Sequence, residues 1–331
     1  MKRIDRRKIA RRLGVALAAA TAGLLAVGHV SAQAYPAKPI RVITPFGAGD
    51  SADTIARLIG PRMSAQLGGQ PLIIDNRPGA SGLVGLQAAL QAEPDGYTLV
   101  LGQMGGMAVA PNVNKQPFDV RKEFVAIASA FSNYLVLASY AGLPQKTFPD
   151  VVAFSKANPG KLRLATNGEG GFPHLAMELL RERTGFDFLH IPYKGSSQIP
   201  TDIISGRIEL AIAGYSSLLQ HVQSGKVHAI ATTGAKRPPN LPNVPTLAEF
   251  SPGFTALGWF GFFGRRGVPE TAVTSINRAV NAALAIPEVL ERARAMDLDP
   301  EPGTAKEFQA MWMADYERWG RVYRGLKLEL R

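Results

Sequence analysis

The sequence predicts an α/β protein of two similar lobes, each a mostly parallel β-sheet covered by helices. Short apolar or β-branched runs alternate along the chain with stretches whose apolar residues recur at helical spacing. Repeated strand–helix units of this kind form parallel sheets. Six of the strand-like runs end in small or polar residues, three in each half of the chain. Open α/β sheets bind ligands beyond the carboxyl ends of their strands, so the two sets of loops predict a cleft.

Residues 1–34 have the pattern of a cleavable secretory signal. Seven Lys and Arg residues lie within the first twelve positions, and an apolar run from Leu13 to Val30 follows. The tripeptide ending at Ala34 matches a small-residue cleavage site, so the mature chain is expected to begin at Tyr35 and to be periplasmic. A retained membrane anchor is the alternative, which the cleavage site and the Ala- and Gly-rich run disfavour. Arg6-Arg7 leaves the export route open between the general and twin-arginine pathways.

Charge and cysteine content narrow the classes of function. The whole chain carries +11, of which the signal segment accounts for +6, so about +5 remains on the mature chain. That charge is spread without a basic stripe, which predicts tolerance of anions and no nucleic-acid binding. The chain has no cysteine, which excludes disulfides, thiol chemistry and lipid attachment through a cysteine.

In the first lobe, the β-branched run Ile40–Thr44 predicts a strand, and a glycine-bearing loop leads from it into a helix that contains Ile55 and Ile59. The first amide groups of a helix have no intrahelical partner, so this loop predicts a cradle for a carboxylate. Pro61 predicts a kink or break in the helix. Two further strands, 72–75 and 98–101, end in the small-residue loops 76–82 and 102–106, and a helix over 83–92 follows the first of these loops.

The second lobe repeats the pattern, and the C-terminal region is helical. Strands are predicted at 162–165, 188–191 and 210–213, and a helix from Pro173 follows the first of them. Helices over 270–285, 287–296 and 304–326 are expected to pack on the first lobe, with Trp312, Tyr316 and Trp319 as a core stripe. Crossings near 129–134 and 254–259 then divide the chain into lobe 1, residues 35–131 plus 257–331, and lobe 2, residues 132–256. Two lobes joined by two crossings form a hinged clamp.

The first loop also supports a second hypothesis, a nucleotide-dependent oxidoreductase. Gly47-x-Gly49-x-x-Ala52 fits the looser dinucleotide-binding fingerprint, which likewise follows a strand and opens a helix. Asp50 would bring a negative charge towards the pyrophosphate. The next acid that could bind the ribose, Asp75, lies 26 residues beyond Gly49, whereas the usual offset is about 20.

No catalytic or metal-binding motif stands out in the sequence. The serine in Gly79-Ala80-Ser81-Gly82 is not a nucleophile elbow, because the spacing of its glycines is wrong. His174 and Glu178 share a helix face, but two ligands do not make a metal site. His190 is expected to fill core or hinge space, whereas His174 can either face a ligand or pack. The sequence therefore predicts no enzyme, no metal and no cofactor.

The mature chain resembles, nearly end to end, the Bug-type periplasmic receptors of tripartite tricarboxylate transporters. The resemblance rests on the order and spacing of short motifs. These are Tyr35-Pro36-x-Lys38-Pro39-Ile40-Arg41, Pro45-Phe46 with Gly49 and Asp53, Asn76-Arg77-Pro78-Gly79-Ala80 with Gly82, Pro94-Asp95-Gly96-Tyr97-Thr98-Leu99, His174-Leu175-Ala176, Pro192-Tyr193-Lys194-Gly195, Pro242-x-Val244-Pro245-Thr246 and Trp259-Phe260-Gly261.

The resemblance implies a type II periplasmic-binding-protein fold that closes on a small organic carboxylate and presents it to the membrane components of a transporter. A sensory receptor that docks a histidine kinase would bind the same ligand, and the sequence leaves that alternative open. The chain is expected to be a monomer. The predicted ligand-binding residues are Phe46, Gly47, Ala48, Gly49, Ser51, Ala80, Ser81, Gly82, Gln103, Thr166, Asn167, Gly168, His174, Tyr193, Lys194, Gly195 and Ser196.

Three positions depart from the family pattern as the resemblance implies it. Asp50 stands where a second glycine is usual, Gln103 begins a loop that commonly starts with Ser or Thr, and Ala213 replaces an acid at a strand exit. An ionised Asp50 would repel a carboxylate in the first cradle. We therefore expect Asp50 to lie at the rim of the pocket with its side chain turned outward, and the ligand to be a plain carboxylate.

Overall fold

The computed structural model describes residues 35–193 and 198–326, so the predicted signal segment lies outside the described residues. Across the described ranges, no helix is long and apolar enough to cross a membrane. The strands are β1 (Ile40–Thr44), β2 (Leu72–Asn76), β3 (Thr98–Gln103), β4 (Phe124–Tyr140), β5 (Arg163–Thr166), β6 (Leu189–Pro192), β7 (Leu210–Gly214), β8 (Val227–Thr232), β9 (Leu257–Arg265) and β10 (Leu298–Pro300). The α-helices are α1 (Ser51–Gln66), α2 (Leu83–Leu90), α3 (Ala110–Val113), α4 (Val120–Glu123), α5 (Phe148–Ala157), α6 (Phe172–Thr184), α7 (Ile199–Ile204), α8 (Tyr215–Gln223), α9 (Glu270–Leu284), α10 (Pro287–Ala295) and α11 (Ala305–Leu326).

Both predicted parallel sheets are present. β1 pairs in parallel with β2 and with β3, and β5 pairs in parallel with β6 and with β7. Ile40, Val42 and Ile43 of β1 are fully buried, as expected of a central strand covered on both faces. The loops that follow β1, β2 and β3 therefore lie at one sheet edge, and those that follow β5, β6 and β7 lie at another.

The long strand β4 connects the two sheets. Its first part pairs with β9, which also pairs with β3, and its last part pairs with β7 and β8. The described strands thus form one continuous sheet in the order β2-β1-β3-β9-β4-β7-β5-β6, with β8 and β10 also paired to β4. The chain returns to β9 after residue 254, which is the second crossing. The two-lobed α/β fold predicted from the sequence is confirmed.

The last helix, α11, packs against both lobes of the protein. Trp312 donates its indole N–H to the carbonyl of Met107, 2.8 Å away, just after β3. About two turns later, Trp319 packs edge to face on Phe172 of α6, with ring centroids 5.2 Å apart. Trp312 and Trp319 are fully buried and Tyr316 is nearly so, which confirms the predicted core stripe.

Element boundaries agree with the predictions within a few residues, with two differences. Helix α1 continues through Pro61 without a break; Pro61 lies on the exposed side of the helix. The predicted loop 102–106 is shorter than expected, because the chain enters a π-helical turn at Gly105–Val109 directly after β3. Such turns cost regular hydrogen bonding and occur often at functional sites.

Candidate ligand-binding cleft

The register of the sheet brings the two loop-bearing edges towards each other. Gln103, at the end of β3, lies opposite Phe260 of β9, which in turn lies opposite Phe131 of β4. Gly214, at the end of β7, lies opposite Leu135 of β4. β3 and β7 run in opposite directions, so their carboxyl ends face each other along β4. Four residues of an extended strand separate the two levels, about 13 Å. The two sets of loops therefore face each other across this spacing, at the position where the sequence predicts the cleft.

A buried carboxylate fixes the first loop of the cleft. Asp53 is 3% exposed and accepts hydrogen bonds from the Gly49 amide at 2.9 Å, from Asn76 Nδ2 at 3.0 Å and from Arg57 Nε at 3.0 Å. Burial by itself would raise the pKa of Asp53, but the hydrogen bonds from Arg57, Gly49 and Asn76 outweigh it and lower the pKa. Asn76 also donates to the carbonyl of Phe46 at 3.3 Å, so the first two loops are bonded together.

The structure differs from the expectation that Asp50 turns outward. Asp50 is the N-cap of α1, and its half-buried carboxylate bends back to accept the Ala52 amide at 3.2 Å. Burial raises the pKa of Asp50, and the nearby Asp53 adds to the effect, although the amides of Ala52 and Ser51 oppose it. Aspartate is a favourable N-cap because it satisfies an orphan amide. Here it also places a negative charge at the predicted cradle.

The backbone donors of that cradle are therefore largely used within the protein. The Gly49 amide is bonded to Asp53, the Asp50 amide to the Gly47 carbonyl at 3.1 Å, and the Ala52 amide to Asp50. Gly47 is half-buried and Ala48 and Gly49 are exposed, while Ser51 is the first residue of α1. The first loop is ordered and reaches the cleft edge, but it is not the open anion cradle that the sequence predicted.

Three predicted residues from three different loops come together in lobe 1. Phe46, Gly82 and Gln103 line one narrow depression with Leu86 and Met107. A Cβ atom added at Gly82 would lie 3.3 Å from Pro45 and 3.6 Å from the Phe46 ring, so the close approach requires glycine. The depression is too narrow to admit a water molecule. Phe46 thus packs over the second loop as a wall of the cleft.

The turn 79–82 leads into α2 through an unusual backbone. Ala80 has a φ of +45°, which is uncommon for a residue with a side chain, and Gly82, the N-cap of α2, has a φ of +97°. No side chain caps α2 at Gly82. Backbone strain of this kind persists where the surrounding structure holds it, often at ligand-binding sites.

In lobe 2, the predicted residues divide between the cleft surface and a layer behind it. Asn167 is exposed and Gly168 half-buried, in the loop between β5 and α6. Thr166 is fully buried and donates its hydroxyl to the Gly168 carbonyl at 2.9 Å. His174 is 5% exposed and accepts the Gly170 amide at 2.9 Å through Nδ1. Thr166 and His174 therefore hold the loop from behind.

The β6 exit is described only in part. Tyr193 is half-buried and donates its hydroxyl to Asp202 Oδ2 at 2.6 Å, which leaves its ring face to form part of the surface. Burial raises the pKa of Tyr193 to about 12, and the bond to Asp202 adds to this. The predicted residues Lys194, Gly195 and Ser196 lie outside the described residues.

Two helices of lobe 2 begin at the cleft edge without a side-chain cap. The N-cap of α6 is Gly171 and that of α8 is Gly214, and neither start has a side-chain hydrogen bond. With α2, three helix starts at the facing edges are uncapped, whereas α1 carries Asp50. The partial positive charge of a helix N-terminus attracts anions, so an anion entering the cleft is favoured near these three starts.

Sequence reasoning missed four contributors to this site. Asp53 and Asn76 were recognised only as motif residues, although a buried acid and amide at a strand end are a signal for a loop-anchoring network. Gly214 and Tyr215 begin α8 at the same sheet edge as the loops after β5 and β6. Their position directly after a predicted strand was the sequence feature that could have identified them. Tyr215 is 2% exposed and stacks on Tyr134, with ring centroids 6.1 Å apart. Trp259, at the crossing, bonds Asp315 at 2.9 Å and belongs to the core.

The described residues give little support to the nucleotide-binding and metal-binding alternatives. Asp75, the candidate ribose ligand, is bonded to Arg41 and to Arg77, which lower its pKa against the opposing effect of burial. Among residues 35–193 and 198–326, no three His, Asp or Glu side chains come together to hold a metal ion. A separate cavity of about 550 Å³ lies beside β8, lined by residues such as Lys146 and His228, away from the cleft.

Comparisons with known proteins agree with this geometry. The profile of the family described as "Tripartite tricarboxylate transporter family receptor" matches residues 55–328. BugT of Bordetella pertussis is 34% identical, over 94% of this chain and 96% of its own length. An R. palustris protein determined with adipate is 29% identical, with a TM-score of 0.81 over 88% of this chain and 98% of its own. MatC from Rhodopseudomonas palustris, determined with bound malate, is 28% identical, with a TM-score of 0.78 over 87% of this chain and 99% of its own.

Proposed function

The chain belongs to the tripartite tricarboxylate transporter receptor family, and from that premise we propose that it captures a small organic carboxylate between its two lobes and delivers it to the membrane components of such a transporter. It acts in the periplasm as a monomer, after a signal segment ending at Ala34 is removed. Residues 35–131 plus 257–331 form one lobe and 132–256 the other. Receptors of this family bind solutes, and the proposed role is binding without turnover.

The observation that carries the proposal is the set of uncapped helix starts at the facing edges of the sheet. The helices α2, α6 and α8 begin at the facing edges without a side-chain hydrogen bond at their N-caps, although the Leu83 amide of α2 donates to the Ala80 carbonyl and Pro173 leaves α6 one amide fewer. Each such helix end favours a nearby anion by about 0.3–1 kcal/mol, and more where water is excluded. A carboxylate that meets two or three of them gains about 0.6–3 kcal/mol, and the rest of its affinity is proposed to come from contacts with the loops that close on it.

The carboxylate is proposed to lie nearer lobe 2 and α2 than the start of α1. Asp50 occupies the α1 start, and two like charges about 4 Å apart at an effective dielectric of 20 repel by roughly 4 kcal/mol. The proposed contacts are the predicted residues at the cleft surface: Phe46, Gly47, Ala48, Gly82, Gln103, Asn167, Gly168 and Tyr193. Adipate and malate, the acids present with two related structures, fit the size of ligand that such loops can surround.

The test is a thermal-shift titration of the mature chain with adipate, malate and benzoate, followed by calorimetry of any acid that stabilises it. A ligand that binds only the folded state raises the unfolding free energy by about 2.7 kcal/mol at a hundred times its Kd. We expect one acid per chain and no change in the acid after prolonged incubation, monitored by proton NMR. Consumption of the acid, or stabilisation by NAD instead of by organic acids, would contradict the proposal.

A further inference from the structure

Two buried histidine rings stack behind the cleft loop 167–171. The rings of His174, from α6, and His190, from β6, have centroids 3.6 Å apart and planes 15° from parallel. His174 is 5% exposed, and Glu178, one turn further along α6, is equally buried. Glu178 Oε1 lies 3.4 Å from His174 Nε2, and Arg181 Nη1 lies 3.0 Å from Glu178 Oε2. The stack therefore joins the helix that follows one cleft loop to the strand that precedes the next.

The hydrogen bonds fix the proton on each ring. His174 Nδ1 accepts the Gly170 amide, so its proton is on Nε2, facing Glu178. Thr166 has one hydroxyl proton, which it donates to the Gly168 carbonyl, so the 2.8 Å contact with His190 is a bond from His190 Nε2–H to Thr166. Burial, and then the neighbouring His174 and Arg181, lower the pKa of His190 to about 3. In this arrangement each ring has one defined hydrogen-bonding role towards the loop: His174 Nδ1 accepts from Gly170, and His190 Nε2 contacts Thr166.

The two chains of hydrogen bonds end on the backbone of the same loop. His174 holds the amide of Gly170, and His190 holds the carbonyl of Gly168 through Thr166. Gly168 and Gly170 have φ values of +156° and +64°, so the loop passes twice through backbone conformations that few residues favour. A glycine-rich loop has much conformational entropy to lose, and two fixed anchor points reduce the number of conformations it can adopt.

We propose that the stacked His174–His190 pair are positioning residues, which hold the 167–171 loop in the conformation that binds the acid. The inference rests on the proposed function and deepens it, because it assigns to His174 a role behind the loop where the sequence predicted direct contact with the ligand. The stacking of the two rings sets the positions of the hydrogen-bonding atoms. His174 Nδ1 accepts the bond from the Gly170 amide, and His190 Nε2 donates the bond to Thr166. Ligand affinity then depends on these two atoms, beyond any contribution of the rings to packing.

Paired variants separate the hydrogen bonds from the packing. His174→Asn keeps an acceptor at the position of Nδ1 and loses the ring, whereas His174→Phe keeps a stacking ring and loses the acceptor. His190→Gln keeps a donor near the position of Nε2, whereas His190→Phe keeps only the ring. Two readouts are used: hydrogen exchange of the Gly170 amide, and calorimetric affinity for adipate, malate and benzoate.

We expect exchange at Gly170 to be about tenfold faster or more in His174→Phe, and within about threefold of the parent in His174→Asn. Affinity for the acid that binds the parent should follow the same order, with a loss of about tenfold or more in both Phe variants and partial recovery in Asn and Gln. Phe variants that keep parental exchange and affinity would overturn the proposal. Asn and Gln variants that lose as much as the Phe variants would overturn it as well, because packing would then be the cause.

The exchange measurement keeps this inference separate from the proposed function. If the parent binds none of the three acids, the proposed function fails for them, and the Gly170 exchange still decides whether the histidines order the loop. If the parent binds an acid and the Phe variants bind it equally, the positioning role fails while the receptor function stands. Glu209→Gln is a control for general destabilisation, because Glu209 bonds Arg163 at the start of β5, the opposite end of the strand from the cleft.

Discussion

The replacement Asp53→Asn tests whether the network beneath the first loop supports binding. All of the partners that Asp53 bonds are donors: the Gly49 amide, Asn76 Nδ2 and Arg57 Nε. An asparagine side chain offers one acceptor oxygen and turns an NH₂ group towards a donor. At least one hydrogen bond to a charged acceptor is lost, which costs about 1.5–3 kcal/mol, and a buried donor is left unpaired. We therefore expect the unfolding free energy to fall by about 2–3 kcal/mol.

A stability loss of that size lowers the Tm of a chain of this length by about 3–5 °C. Because the pKa of Asp53 is lowered in the folded state, its stabilisation is present above the ordinary aspartate pKa and is lost as the pH falls through the folded value. Asp53→Asn should therefore lower the Tm at pH 7 and flatten its decline in acid. Circular dichroism melts of parent and variant between pH 7 and pH 3 measure both effects.

The decisive measurement is affinity, with Glu209→Gln as the matched control. Glu209 is a half-buried carboxylate bonded to Arg163 at 2.9 Å, at the far edge of the sheet. Both variants should lose stability, but only Asp53→Asn should bind the acid about tenfold more weakly or worse, a loss of about 1.4 kcal/mol. Equal affinities in the two variants, at temperatures where both are folded, would refute the argument that Asp53 organises the loop.

Four further outcomes are expected. Burial lowers the pKa of His190 to about 3, so below pH 6.5 the unfolded chain binds a proton that the native ring does not. As the pH falls, this site should therefore reduce the unfolding free energy by up to about 1.4 kcal/mol per pH unit. The Tm of His190→Gln should depend less steeply on pH than the Tm of the parent. Asp50→Asn should keep the α1 cap and leave the Tm unchanged or raise it. It should increase carboxylate affinity by about threefold or more, because a like charge is removed. A loss of binding free energy above about 2 kcal/mol would show that Asp50 contacts a donor or cation on the ligand. Gly49→Val should weaken binding by about tenfold or more while Gly69→Val does not, because both residues have a φ of +81° and open space at Cβ, and only Gly49 lies at the cleft. Small-angle scattering should show a smaller radius of gyration with a saturating acid, and an unchanged radius with confirmed binding would count against closure about the two crossings.

The sequence was sufficient to predict six of the ten described strands, six of the eleven described α-helices and the edges at which the loops gather. Local runs such as Ile40–Thr44 carry that information, because a buried parallel strand needs consecutive apolar residues and a ligand-binding exit needs small ones. The tryptophan stripe of α11 was predictable for the same reason, since its spacing of four and three residues places the rings on one helix face. Family resemblance added the type II periplasmic-binding-protein fold to the two lobes that the pattern had predicted.

The details of the cleft could not be predicted, because they depend on which polar group satisfies which backbone atom. Asp53 and Asn76 are 23 residues apart and meet only once β1 and β2 pair in register. From the sequence, His174 could equally contact a ligand or pack in the core. In the structure it accepts a hydrogen bond from the Gly170 amide behind the loop. The π-helical turn after β3 likewise has a partner that is distant in sequence, because Trp312 of α11 donates a hydrogen bond to its Met107 carbonyl.

Asp50 shows how a single side chain changes the electrostatics that a loop motif predicts. A glycine-bearing loop that opens a helix predicts an anion site only while the first amides of the helix remain free. In this chain Asp50 and Asp53 take the Ala52 and Gly49 amides, so the α1 start has the lowest affinity for an anion of the four helix starts at the facing edges. We expect an anion to be attracted instead to the starts of α2, α6 and α8, which have no side-chain cap and of which two belong to the second part of the sheet. A carboxylate held mainly from that side leaves the remainder of the ligand facing Asp50. We therefore expect the group next to Asp50 to affect selectivity: a neutral or hydrogen-bond-donating group is accepted there, and a dicarboxylate such as adipate or malate binds with its second carboxylate directed away from Asp50.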